Sequence, residues 1–83
     1  NPPWNRDILL PLIDHLTKYN PAWLLIDADF MHIKKAADYM RRCSTVVSIG
    51  RVKWIPDSKM TGKDNCCWYR FEQSIANTRF VGR

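Results

Sequence analysis

The chain has 83 residues, 46% of them hydrophobic, with 13 Lys+Arg against 8 Asp+Glu and a formal net charge of +5. That length fits one small domain or a piece of a larger one, and the apolar content excludes a disordered polymer. The longest charge-free apolar stretch, Pro21 to Ile26, falls far short of the roughly 20 residues of a membrane span, and no basic-then-apolar leader or initiating Met opens the chain.

Asn5 is suited to cap a helix, with Asp7 in its first turn. Ile8, Leu9, Leu12, Ile13 and Leu16 recur at three- and four-residue spacing and predict the buried stripe of an amphipathic helix running to about Tyr19. Pro11 is expected to kink that helix or to mark its true first turn. Asn20-Pro21 ends it, because a residue before proline avoids the helical region. Ala22 to Ile26 is an unalternating apolar run that predicts a parallel strand covered on both faces. A second helix is expected from about Phe30 to Arg42, with Phe30, Ile33, Ala37 and Met40 as its apolar face and Arg41-Arg42 at its C-terminal end.

Thr45 to Ile49 is β-branched and reads as a strand. Gly50 interrupts it as a bulge or bend, and Arg51 to Ile55 resumes the extended pattern. Residues 56–65 are loop-like in composition. Cys66 to Glu72 alternates, with Cys66, Trp68 and Arg70 against Cys67, Tyr69 and Phe71, and should pair antiparallel with the preceding strand. The tail from Gln73 shows no period. The expected architecture is an α/β domain, the back half of an open sheet, with two helices and three to four strands ending in an antiparallel hairpin.

Charge is unevenly placed. Residues 1–40 hold four basic and five acidic side chains, whereas residues 41–83 hold nine basic and three acidic ones. The second half therefore faces either a polyanion such as nucleic acid or only solvent. Cys43, Cys66 and Cys67 lack the spacing of a zinc or redox site, and neighbours in a strand point to opposite faces, so no metal site is expected. Reduced, structural thiols in a cytosol-like compartment are the expectation. Trp23, Trp54, Trp68 and Tyr69 read as core residues rather than base-stacking platforms.

Asn1-Pro2-Pro3-Trp4 carries the most chemistry. Two prolines make the backbone stiff and remove both N–H donors, leaving carbonyls beside a carboxamide and an aromatic plane. The Asn1 amide oxygen and the Pro2 carbonyl suit the two hydrogens of an exocyclic amine, and Trp4 suits stacking on its ring. The segment resembles motif IV of the amino-methyltransferases. With the rest of the chain it is similar to the C-terminal part of phage-type DNA N6-adenine methyltransferases. There the motif loop leads to a helix, a buried strand, a second helix and a Gly-Arg-Val/Ile-Lys-aromatic segment, matched here by Gly50-Arg51-Val52-Lys53-Trp54, before a closing hairpin strand.

The resemblance implies a Rossmann-like sheet, a cytoplasmic setting in a prokaryotic or phage-infected cell, and DNA as partner. It also implies S-adenosylmethionine as methyl donor to an adenine flipped out of the duplex. Asn1, Pro2, Pro3 and Trp4 would be the catalytic residues, with Asn1 and Pro2 accepting hydrogen bonds from both amino hydrogens so that the nitrogen lone pair faces the methyl group. Arg51, Lys53, Lys59, Lys63 and Arg70 are the candidate DNA contacts, which give salt-sensitive affinity but little sequence choice. The family's cofactor site needs a Gly-rich strand-to-helix turn, whereas Gly50, Gly62 and Gly82 are all isolated. Residues 1–83 thus read as one partial domain without its cofactor-binding half. They are expected neither to bind S-adenosylmethionine tightly nor to methylate DNA alone. Two other readings stay open: a small basic nucleic-acid-binding module, and a truncated remnant that dimerises through an exposed sheet edge.

Overall fold

The computed structural model describes residues 6–51 and 65–83. Helix α1 (Arg6–Leu16) places Leu9 and Ile13 one turn apart against the sheet, and Thr17 continues the same line just beyond it. Thr17 is the buried polar residue here, and its hydroxyl donates to the Ile13 carbonyl at 2.7 Å. The expected stripe is therefore rotated: Ile8 and Leu16 are exposed. The apolar arc of α1 is simply wider than the sheet surface it meets. The helix also stops before Tyr19, in a turn where Lys18 N–H bonds the His15 carbonyl. Pro11 lies inside α1 on its solvent side, where water can serve the carbonyl left by the missing N–H.

Strand β1 (Ala22–Asp27) differs from expectation in its pairing. It runs antiparallel to β3 (Asn65–Phe71), from Ala22 opposite Phe71 to Asp27 opposite Cys66. Leu24 and Ile26 face the helices, while Trp23 points to the other face and is 48% exposed. An unalternating run signals two apolar faces, but only one of them meets the helical layer.

The continuous second helix is replaced by two 3₁₀ turns (Ala28–His32 and Lys34–Ala36) and a four-residue helix α2 (Ala37–Met40). Ile33 breaks the run with extended backbone, φ −77° and ψ 145°. The break lets Phe30 and Ala36, rather than Ala37, drop into the core. Phe30 meets Tyr69 and Phe71 edge-on, at ring separations of 5.6 and 6.2 Å. That contact outweighs the helical propensity of the segment.

Strand β2 (Cys43–Arg51) pairs antiparallel with β3, as expected from the alternation. The register slips between Ser48 and Gly50, and Gly50 adopts φ +79°, so the bulge falls where the glycine interrupts the pattern. The sheet does not end at this pair. A short β4 (Arg79–Val81) lies parallel to β2, Thr45 opposite Arg79, giving a four-stranded mixed sheet in the order β1-β3-β2-β4. Three residues at an edge, with Phe80 exposed, leave no period to read. No helix among the described residues is long and apolar enough to cross a membrane.

Candidate functional site

Asn1, Pro2, Pro3, Trp4, Lys53, Trp54, Lys59 and Lys63 lie outside the described residues, as does the Asn5 cap. Of the expected DNA contacts, Arg51 ends β2 opposite Asn65, and Arg70 lies on β3 opposite Thr45. Asn65, the partner of Arg51, and Arg70 are five positions apart on β3, about 17 Å at the strand rise. Arg70 holds a long ion pair, its Nε 3.8 Å from Glu72 Oε2.

The sheet turns an unexpected face outward. Alternation puts Leu24, Ile26, Cys67, Tyr69, Phe71, Cys43 and Val46 toward α1 and the 3₁₀ turns. Two rows of side chains then cross the opposite face. One runs Trp23, Arg70, Thr45, Arg79, and the other Leu25, Trp68, Val47, Val81. Trp68 is 39% exposed, so both of these tryptophans depart from their expected place in the core, while Tyr69 is fully buried as expected. The Arg83 guanidinium lies over Gly50, in the position a β-carbon would claim. Cations and rings are thus interleaved on one surface. The alternation of Cys66, Trp68 and Arg70 already pointed to a shared face; the helix-bearing side was what it could not supply.

A second polar cluster closes the other side of the molecule. Arg42 donates from Nη1 to Asp14 Oδ1 at 2.8 Å, from Nη2 to Thr17 Oγ1 at 2.5 Å, and from Nε to the Glu72 carbonyl at 2.9 Å. Tyr39 donates to Asp14 Oδ2 at 2.9 Å, and Gln73 Nε2 to the Thr17 carbonyl at 2.7 Å. The Arg42 hydrogen bond holds the Asp14 carboxyl below its ordinary value, with Tyr39 helping and burial opposing. Burial, then the bond to Asp14, pushes the Tyr39 phenol up. The Asp14 carboxylate accepts from both the Tyr39 phenol and Arg42, which clasps α1 to α2 and to the start of β2.

The three cysteines are free and buried. Burial pushes the Cys43 thiol up to about 11 and the Cys67 thiol upward, the reverse of a reactive nucleophile. Cys66 and Cys67 point to opposite faces, and among the described residues no group of three His, Cys, Asp or Glu side chains could hold a metal ion. Compared with protein-family models, curated proteins and solved structures, the chain matches none.

Proposed function

We propose that this chain is the catalytic-motif half of a DNA adenine-N6 methyltransferase. The observation that carries the reading is Asn1-Pro2-Pro3-Trp4 placed directly ahead of an α/β unit. The element order agrees with that expectation: helix, strand, helical connection, strand, reversed strand. Two strands running the same way, β1 and β2, are joined through the helical segment, with β3 reversed between them. The exposed Ile8 and Leu16 on α1 support a layer that continues onto a further segment.

In this reading Asn1 and Pro2 accept the two hydrogens of the adenine amine, Pro3 keeps the backbone stiff, and Trp4 holds the extruded base by stacking. S-adenosylmethionine supplies the methyl group in such enzymes. The described residues do not form its cradle: Gly50 belongs to a β-bulge beneath Arg83, and Gly82 follows an edge strand. In this reading the donor's main site lies outside the described residues.

Two measurements test the proposal. Calorimetric titration of the 83-residue chain with S-adenosylmethionine should show no micromolar binding. The complete reading frame that encodes it, expressed in a methylation-deficient host, should place N6-methyladenine in the DNA, detected by mass spectrometry. Asn1→Ala should lower that signal by at least about a hundredfold, the scale of losing an aligned acceptor at the reacting group. A folded, cofactor-binding protein that leaves host adenine unmodified overturns the reading, as does an Asn1→Ala variant with full activity.

A further inference from the structure

We infer that the outer face of the sheet is a binding surface for a single-stranded nucleic acid, with bases stacked on Trp23 and Trp68 and phosphates held by Arg70 and Arg79. The inference is independent of methyl transfer and stands or falls on its own.

Register supplies the geometry. Trp23 sits opposite Arg70, and Trp68 sits two residues before Arg70 on β3, so the two rings are diagonal neighbours on one face. Such neighbours lie about 7–8 Å apart, within reach of large aromatic side chains and far enough for each ring to take its own base. Both rings are substantially exposed, at 48% and 39%. Exposed tryptophans on a sheet stack bases of any identity, because every base has a π-face, whereas duplex DNA keeps those faces covered.

Charge supports the same occupant. Arg70 and Arg79 share a row with Trp23, two strands apart, which is about 10 Å. Arg83 adds a third guanidinium over Gly50. Against them stand Asp27, at the end of β1, and Glu72, which makes the 3.8 Å contact to Arg70. A purely apolar partner would gain nothing from three guanidinium groups, and an acidic protein surface would gain little from two exposed indole rings. A strand of alternating bases and phosphates uses both.

The test is fluorescence anisotropy with a labelled 15-nucleotide oligothymidylate and the 83-residue chain. Binding should weaken as salt rises, and a duplex of equal length should bind less tightly. Trp23→Ala and Trp68→Ala should each weaken binding by about tenfold. Trp23→Phe and Trp68→Phe should restore most of it, with far-UV circular dichroism unchanged throughout. Arg70→Gln with Arg79→Gln should flatten the salt dependence. Unchanged affinity in both alanine variants overturns the inference. So does a concentration-dependent dimer, seen by sedimentation, that Trp68→Ala abolishes.

Discussion

Arg42 reaches from the residue just before β2 to Asp14 in α1, its Nη1 2.8 Å from Oδ1, while its Nε holds the Glu72 carbonyl at the end of β3. One guanidinium thus ties three separate stretches of chain. Arg42→Ala should destabilise the fold by about 2–3 kcal/mol in denaturant titration, because the Glu72 carbonyl and the Thr17 hydroxyl lose their charged donor together. Arg42→Lys should recover less than half of that loss, since an ammonium cannot reproduce the planar fork.

The same pair makes a small contribution to the acid limb of stability. Asp14 has its carboxyl depressed in the folded state from an ordinary value of 3.8. Its contribution is complete above that value and is lost as pH falls through the lower folded one, because the unfolded chain takes up the proton first. Chemical denaturation between pH 5 and pH 2 should show a shallower fall for Asp14→Asn than for the parent chain. The Asp14 side chain is 55% exposed, so the difference should be small and should shrink in high salt.

Cys43 contributes to the alkaline side. Its thiol is raised in the folded state from 9.0 to about 11, so the folded form holds its proton longer than the unfolded one. Stability is fully present below pH 9 and falls as pH rises from 9 toward 11. Cys43→Ala should remove that slope between pH 9 and 11, apart from contributions of other groups. Iodoacetamide should label Cys43 at pH 8 only on the unfolding timescale, and burst labelling of the native chain at this residue would contradict its burial.

Gly50 combines a left-handed φ of +79° with the Arg83 guanidinium, whose Nη1 would stand 2.5 Å from an added Cβ. Gly50→Ala should cost about 1–2 kcal/mol by thermal unfolding, mostly from the backbone, because a terminal arginine side chain can swing aside. Gly50→Asn should cost less than the alanine variant, since asparagine tolerates the left-handed region. An unchanged midpoint in Gly50→Ala would show that the bulge relaxes without strain.

Tyr69 tests the centre of the core. Its ring stacks on Phe71 at 6.0 Å, and its hydroxyl donates to the Asp27 carbonyl at 2.9 Å. Tyr69→Phe keeps the rings and should cost about 1 kcal/mol, whereas Tyr69→Ala should cost about 3–5 kcal/mol by opening a cavity. Urea titration separates the two, and near-equal losses would mean that the hydroxyl, not the ring, holds the site.

Much of this molecule was written in local pattern. The alternation from Cys66 to Phe71 announced β3 and both of its faces, the β-branched run announced β2, and the glycine between them announced the bulge. Other features depended on distant partners. Period alone could not say that α1 would meet the sheet through Leu9, Ile13 and Thr17 rather than through Ile8 and Leu16, because the helix carries more apolar surface than one contact can cover. It could not break the second helix at Ile33, because the core must accept Phe30 edge-on against Tyr69 and Phe71, some forty residues downstream. Nor could it turn Trp23 and Trp68 outward: an indole in a strand buries or exposes itself according to which side the helices take. Patterns of neighbouring residues encode what the backbone does locally, and the choice of face belongs to contacts that exist only after the chain has come together.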